Sequence, residues 1–213
     1  MLKNRLVVSL QTVVHYFDYK SPYAYLAQEG TFNIAKRDDV KMVWVPYGLK
    51  IGKYLGEAAL DDAGEDTIKT RNDHQWRRVR YSYMDCRREA NKKGLTLLGP
   101  KKIFDSSLSH MAFLFLSKSG NPKRFHCSVF KRFWARKLNI ESYGALIELM
   151  IELGYETEGF ESYVENEGKE NYLKIQAEVE RKGVFGVPSW RINGELFWGA
   201  EHLDSINELL NSN

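Results

Sequence analysis

The stretch GVFGVPSWRINGELFWGAEHL, residues 183–203, carries the strongest structural signal in the chain. Asn193-Gly194 separates two short runs rich in apolar residues, and this dipeptide is typical of a tight hairpin turn because both residues tolerate positive φ. Gly186-Val187-Pro188 precedes the first run. A glycine there allows close backbone approach, and a proline entering an edge strand leaves backbone groups free for an extended ligand. The sequence therefore predicts a hairpin with a binding loop at its start.

A strand followed by a helix start lies near the other end of the chain. Residues 13–19 are rich in β-branched and aromatic side chains, which favours a strand, and we extend it back to residue 6. Ser21-Pro22 has the residue types preferred at an N-cap and at the first helical position, so we predict a helix to about residue 37. Residues 41–47 predict a second strand. Strand, helix and strand begin an α/β unit.

The middle of the chain has helical periodicity in most segments. Apolar residues recur at spacings of three and four, as in a helix with one buried face, over residues 76–90, 125–133, 146–153 and 172–179. Residues 49–66 contain three glycines and scattered acidic residues, which predict a mobile loop. A last amphipathic helix is predicted over residues 201–210.

This order of elements predicts an α/β protein that has a thioredoxin-like fold with a large all-helical insertion domain. Residues 13–48 and 183–213 would form a discontinuous thioredoxin-like domain, in which strands from both ends of the chain share one sheet. Residues 49–182 would form the inserted helical domain.

Charge is distributed unevenly along the chain. Residues 71–137 contain 17 Lys or Arg against 4 Asp or Glu, and residues 138–182 contain 4 against 11. A basic stretch attracts anions, either small molecules or nucleic acid; alternatively, basic and acidic helices pack side by side with solvated outer faces. No nucleic-acid motif is recognised in it. We therefore expect a small-molecule substrate and no nucleic-acid partner.

The lengths of the apolar runs and the positions of the cysteines indicate the cellular compartment of the protein. No run of about 18 apolar residues exists, so we expect no membrane span. Cys86 and Cys127 form no C-x-x-C and have no metal-ligand spacing, which is typical of ordinary reduced thiols. We predict a cytoplasmic protein without a bound metal.

Two motifs together resemble a known family. Ser21-Pro22-Tyr23-Ala24 stands where thioredoxin superfamily proteins have C-P-x-C, and Gly186-Val187-Pro188 stands where they have the cis-proline loop. Residues 183–203 resemble the C-terminal segment of 2-hydroxychromene-2-carboxylate isomerases and their disulfide-oxidoreductase cousins. FDYKSPYAYLA, residues 17–27, resembles the start of that isomerase family and of kappa-class glutathione transferases. The resemblance covers nearly the whole chain after residue 12 and implies a cis bond before Pro188, within a glutathione-binding loop.

The resemblance implies roles for individual residues. Ser21 matches the family serine that interacts with the glutathione sulfur, and Val187 matches the residue whose backbone pairs with the cysteinyl unit. Glu201 and His202 replace an Asp-Arg pair that binds the γ-glutamyl end, so a titratable ring stands where the family has a permanent cation. Arg78 falls near a basic residue that the family uses at the glycine end.

The function implied is that of a glutathione-dependent isomerase or transferase with Ser21 as catalytic residue, acting on a small electrophilic, aromatic substrate. Two positions depart from the isomerases: Glu89 replaces a tryptophan, and residues 63–66 lack an asparagine that helps to line the aromatic-acid site. A thiol-disulfide oxidoreductase would need a cysteine at position 21 or 24. The remaining alternative is a DsbA-family protein without the redox cysteines that binds thiols or peptides without catalysis. The sequence is also compatible with a homodimer.

Overall fold

The two ends of the chain form one four-stranded sheet in the computed structural model, which describes residues 10–61 and 63–212. The spatial strand order is β2-β1-β5-β6. β1 is parallel to β2 and antiparallel to β5, and β5 is antiparallel to β6. The strands are β1 (Gln11–Phe17), β2 (Val40–Pro46), β5 (Ser189–Ile192) and β6 (Glu195–Trp198). The predicted thioredoxin-like fold is confirmed, whereas the predicted strand residues 6–9 lie outside the described residues.

The hairpin at the C-terminal end forms as predicted. Asn193 and Gly194 have φ angles of 50° and 87°, the left-handed conformation that a two-residue hairpin turn requires. The peptide bond between Val187 and Pro188 is cis, also as predicted. The local sequence therefore specifies the hairpin and the loop that precedes it.

The helix after β1 is interrupted at one residue. The sequence predicted a single helix to about residue 37, but the structure has α1 (Pro22–Leu26) and α2 (Gln28–Ala35). The hydroxyl of Thr31 donates to the carbonyl oxygen of Ala27 at 2.9 Å. A threonine that bonds back by four residues in this way often bends a helix, which accounts for the break.

The inserted segment contains seven helices among the described residues, joined to one small sheet. The helices are α3 (Ile51–Leu55), α4 (Asp73–Lys92), α5 (Ser107–Ser119), α6 (Lys123–Trp134), α7 (Tyr143–Glu152), α8 (Phe160–Tyr163) and α9 (Lys169–Arg181). A π-helical turn, Val164–Gly168, joins α8 to α9. The final helix of the chain, α10 (Leu203–Asn211), follows β6 after a short 3-10 turn, Ala200–His202.

The prediction of an all-helical insertion needs one correction. β3 (Ala58–Leu60) and β4 (Asp66–Lys69) form a two-stranded antiparallel sheet, so part of the predicted loop over residues 49–66 forms α3 and β3. Every residue of β4 is exposed. A strand without a buried face has no alternating pattern of apolar residues, and sequence periodicity could not reveal it.

One aromatic core joins the sheet to the inserted helices. Phe17 and Tyr19 at the end of β1 pack against Phe130 of α6, and Tyr25 of α1 stacks on the same ring at 5.7 Å. The indole nitrogen of Trp134 donates to the carbonyl oxygen of Tyr19 at 3.1 Å. The end of β1 is therefore held from both halves of the fold. No described helix is long and apolar enough to cross a membrane.

Candidate active site

Ser21 lies at the junction of β1 and α1 and is 3% exposed. Its hydroxyl oxygen accepts the N–H of Ala24 at 3.2 Å, as an N-cap residue does. The same hydroxyl donates to the carbonyl oxygen of Val187 at 3.4 Å. This distance exceeds the usual O–H···O range of about 2.5–3.0 Å. The hydrogen bond from Ser21 to Val187 is therefore weak, and the Ser21 hydroxyl can rotate to donate to a stronger acceptor.

The loop before β5 is built to approach a ligand with its backbone. Val187 is buried, and its N–H has no hydrogen-bond partner among the described residues. The carbonyl oxygen of Pro188 accepts the N–H of Gly199 at 3.0 Å, which ties the loop to the end of β6. A Cβ on Gly186 would meet the indole nitrogen of Trp198 at 2.5 Å, so any larger residue would have to displace that ring. The residue with this unpaired N–H, Val187, therefore lies beside Ser21.

Ser21 and Val187 open onto a cleft of about 570 Å³ between the sheet domain and the inserted segment. Walls of this kind, with apolar and aromatic surface and a few polar groups, are typical of small-molecule sites. No carboxylate lines the cleft in the part of the chain that the structure describes. Eight cationic side chains line it: Lys20, Arg71, Arg78, Arg80, Arg87, Lys101, Lys102 and Arg136.

The cleft lining also includes a fixed cation and an unpaired donor. The guanidinium of Arg71 lies 4.9 Å from the centre of the Trp76 ring and donates to the carbonyl oxygen of Leu55 at 3.0 Å. The indole nitrogen of Trp76 is buried and has no partner among the described residues. The helical spacing of residues 76–90 predicted only a packing role for Trp76, so sequence analysis missed it as a candidate donor to a ligand.

The residues assigned by resemblance divide into two groups in space. Arg78 is exposed on α4 and lines the cleft together with Ser21 and Val187. Glu201 and His202 are exposed in the 3-10 turn before α10 and do not line it. The Glu201 carboxylate folds over Gly199, the residue bonded to the cis-proline loop, and the His202 ring lies 6.2 Å from Phe197. Ser21 and Val187 form one group, Glu201 and His202 form another, and Gly199 links the two.

A buried ion pair supports the turn that carries Ser21. The ammonium of Lys20 lies 2.7 Å from a carboxylate oxygen of Asp18 and donates to the hydroxyl of Ser106 at 2.8 Å. That hydroxyl donates to Asp18 at 2.6 Å, and the N–H of Leu49 donates to Asp18 at 2.7 Å. Sequence analysis missed this network, because Ser106 meets the turn only after folding.

The charge state of this network follows from its contacts. Burial acts to raise the pKa of Asp18, but the Lys20 ammonium and His110 outweigh it and hold the pKa well below its usual range. Asp18 therefore stays ionised beside an ammonium that also lines the cleft. Burial lowers the pKa of His110, whose Nδ1 lies 3.3 Å from the hydroxyl of Tyr172.

Neither cysteine lines the cleft. Cys86 is fully buried, and burial raises the pKa of its thiol to about 11; burial also raises the pKa of Cys127. Thiols with raised pKa values are poor nucleophiles. Among the described residues, no group of three or more His, Cys, Asp or Glu side chains could hold a metal ion.

The two departures from the isomerase pattern lie outside the cleft. Glu89 pairs with Lys92 at 2.7 Å on the solvent side of α4. Residues 63–65 lie in the exposed turn between β3 and β4, and Asp66 begins β4. Neither Glu89 nor residues 63–66 block the space in front of Ser21.

Comparison with known proteins places this geometry in a family. A sequence model of the DSBA-like thioredoxin domain matches residues 12–211. The chain belongs to the DSBA-like thioredoxin family. Within this family it is similar to 2-hydroxychromene-2-carboxylate isomerases from Sphingobium xenophagum, at 23% identity over 94% of this chain and 98% of that protein, and from Pseudomonas putida, at 27% identity over 88% of each.

A solved structure of 2-hydroxychromene-2-carboxylate isomerase shares the fold of this DSBA-like chain. The two superpose with a TM-score of 0.71 at 20% identity, over 94% of this chain and 95% of the other. The sequence relatives support an isomerase-like enzymatic function. The Ser21 cleft is therefore the candidate active site.

Proposed function

We propose that this protein is a cytoplasmic, glutathione-dependent isomerase of a small, anionic, electrophilic aromatic compound, as its relatives named 2-hydroxychromene-2-carboxylate isomerase suggest. The observation that carries the proposal is the convergence of the Ser21 hydroxyl and the Val187 backbone on one cationic cleft. If the glutathione stayed attached to such a compound, the same addition of the thiol would make the protein a glutathione transferase.

The residues present fit a glutathione molecule. The unpaired N–H and the weakly bonded carbonyl oxygen of Val187 can pair with one peptide unit of an extended ligand. Backbone pairing of this kind gives affinity without demanding a particular side chain. Arg78 at the cleft can hold a carboxylate, and Glu201 beside Gly199 can accept from an ammonium.

Bound glutathione would supply a thiol that forms a C–S bond to an electrophilic carbon and leaves again after the isomerisation, or stays attached in a transfer. Ser21 would donate its proton in a hydrogen bond to the sulfur anion in place of Val187. A preorganised donor of this kind stabilises an anion in a site from which water is excluded. The cationic wall would hold the substrate carboxylate and stabilise negative charge that develops on its oxygens.

A second function is a non-catalytic thiol- or peptide-binding module. The specific observation in its favour is that Ser21 and Ala24 occupy the positions of the redox cysteines, while the backbone of Val187 stays open to an extended ligand. A thiol-binding module would also bind glutathione, but only the first function predicts turnover.

The test combines binding and turnover on the wild-type protein. Calorimetry should show reduced glutathione binding at one site per chain, with thermal stabilisation at millimolar concentration. Purified 2-hydroxychromene-2-carboxylate should then isomerise faster with glutathione than without it, as followed by absorbance and chromatography. Binding without turnover of this substrate or of an electrophile panel supports the module, and absence of glutathione binding refutes the proposed glutathione-dependent enzyme.

A further inference from the structure

A second cleft, of about 470 Å³, lies between the sheet domain and the inserted helices and shares no lining residue with the Ser21 cleft. Its walls come from α2, from the edge strand β2 and from the turn between α5 and α6. Sites between structural units, with volumes of a few hundred Å³, are typical of small-molecule binding. The size suits a one- or two-ring ligand.

Aromatic rings form one wall of the second cleft. The rings of Phe32 and Trp44 lie 5.0 Å apart, and the His126 ring meets Trp44 edge-on at 5.1 Å. Ring walls at these spacings favour a flat apolar ligand, because aromatic pairs gain energy from offset and edge-on contacts.

Two cationic side chains lie at the mouth of this cleft, and neither is paired with a carboxylate in the described part of the chain. Lys36 and Lys123 are exposed, line the cleft, and form no ion pair with another described residue. The ammonium of Lys123 lies over the Phe32 ring at 4.6 Å. No acidic side chain lines the cleft within residues 10–61 and 63–212. The mouth therefore favours an anionic group on the ligand.

His126 lines the second cleft and contains a polar atom without a partner among the described residues. Its side chain is 2% exposed, and its Nδ1 lies 3.3 Å from the hydroxyl of Tyr19, which fixes the ring orientation. The opposite nitrogen, Nε2, is buried without a partner among the described residues. Burial lowers the pKa of His126 well below its usual range, so the ring is neutral. A buried polar atom without a partner is uncommon and costly in a folded protein.

We propose that this second cleft binds a small aromatic carboxylate that carries a hydroxyl group remote from its carboxylate. Lys36 and Lys123 hold the carboxylate, Phe32 and Trp44 contact the ring, and His126 Nε2 bonds the hydroxyl. A hydroxyl can donate or accept, so it satisfies Nε2 in either tautomer. This site is separate from the Ser21 cleft and does not depend on the function proposed there.

Calorimetry with 6-hydroxy-2-naphthoate and 2-naphthoate tests the polar contacts. Lys123→Glu should weaken binding of both probes at this site at least about fivefold, by loss of one attraction and gain of a repulsion. Lys131→Glu is the matched control, since Lys131 is exposed on the same helix and outside the cleft. The hydroxylated probe should bind about three- to tenfold tighter than 2-naphthoate, and His126→Phe should remove that difference.

Crystals soaked with 6-bromo-2-naphthoate locate the site directly. Anomalous scattering from bromine should appear in the second cleft, beside His126, whether or not the Ser21 cleft is also filled. Bromine in the Ser21 cleft alone, or equal affinity of wild type, Lys123→Glu and Lys131→Glu, would overturn the proposal. If His126→Phe does not fold, the Lys123→Glu comparison and the bromine position still decide, because both leave the core unchanged.

Discussion

The hydroxyl oxygen of Ser21 lies 3.4 Å from the carbonyl oxygen of Val187, although 166 residues separate the two along the chain. Ser21 caps α1, and Val187 lies in the loop that enters β5. The antiparallel pairing of β1 with β5 brings them together, with Tyr16 opposite Ser189. This contact links the donor of the candidate site to the backbone groups that would hold a peptide-like ligand.

Ser21→Ala should lower kcat for glutathione-dependent isomerisation about 100-fold or more, because a positioned donor to an anion is lost. Loss of the cap should cost about 1 kcal/mol of unfolding free energy. Ser142→Ala is the control: Ser142 caps α7 by accepting the N–H of Ala145 at 3.3 Å and lies outside the cleft. Steady-state kinetics and urea unfolding of both variants give the comparison, and an unchanged kcat in Ser21→Ala would leave the serine as a cap alone.

Arg78→Ala should raise the dissociation constant of glutathione about two- to fivefold, since exposed ion pairs contribute up to about 1 kcal/mol. The effect should shrink with added salt, which screens exposed charges. Arg77→Ala is the matched control, because Arg77 is the neighbouring exposed arginine on α4 but does not line the cleft. Calorimetry at two salt concentrations provides the measurement. Equal weakening in both variants would indicate only a general loss of positive charge.

Asp18→Asn should lower the unfolding free energy by about 3–5 kcal/mol, because it leaves the buried ammonium of Lys20 without its counter-ion. The double variant Asp18→Asn with Lys20→Met should recover much of that loss, since it removes both charges. Urea unfolding of the two single variants and the double variant completes a mutant cycle. Losses that simply add would show that the two side chains do not stabilise each other.

Stability should fall as the pH drops below about 6.5. Burial lowers the pKa of His15 to about 3, although its hydrogen bond to the carbonyl oxygen of Ser189 acts to raise it. The imidazole of His15 takes up a proton near pH 6.5 in the unfolded chain but only near pH 3 in the folded chain. Protonation therefore favours the unfolded chain, and the free energy of unfolding falls progressively as the pH drops from 6.5 toward 3. This group alone should cost about 2 kcal/mol at pH 5.

His15→Phe should flatten that decline, as measured by urea unfolding at pH 7, 6 and 5. His74→Gln, a change at an exposed histidine, should leave the decline as it is in the wild type. The buried rings of His110 and His126 also have lowered pKa values, so a smaller decline should persist in His15→Phe. Parallel pH curves for wild type and His15→Phe would contradict the assignment.

Local chemistry alone determined most of the secondary structure. Asn193-Gly194 specifies its hairpin because both residues accept positive φ, and Ser142 specifies a helix start because its hydroxyl replaces a missing backbone partner. Ser21 and Val187 emerged as candidates because resemblance at the two ends of the chain assigned them together. The exposed strand β4 escaped prediction, since a strand without a buried face has no apolar periodicity.

Tertiary structure alone decided which of these candidates meet. Arg78 joins Ser21 at the cleft because α4 crosses in front of α1, whereas Glu201 and His202 remain outside on the turn before α10. The hydrogen bond from Ser106 to Asp18 and the contact of His126 with Tyr19 join groups that are many residues apart in the sequence. The sequence determined residue types and local geometry, but burial and charge pairing arise only when the chain folds and excludes water from those groups.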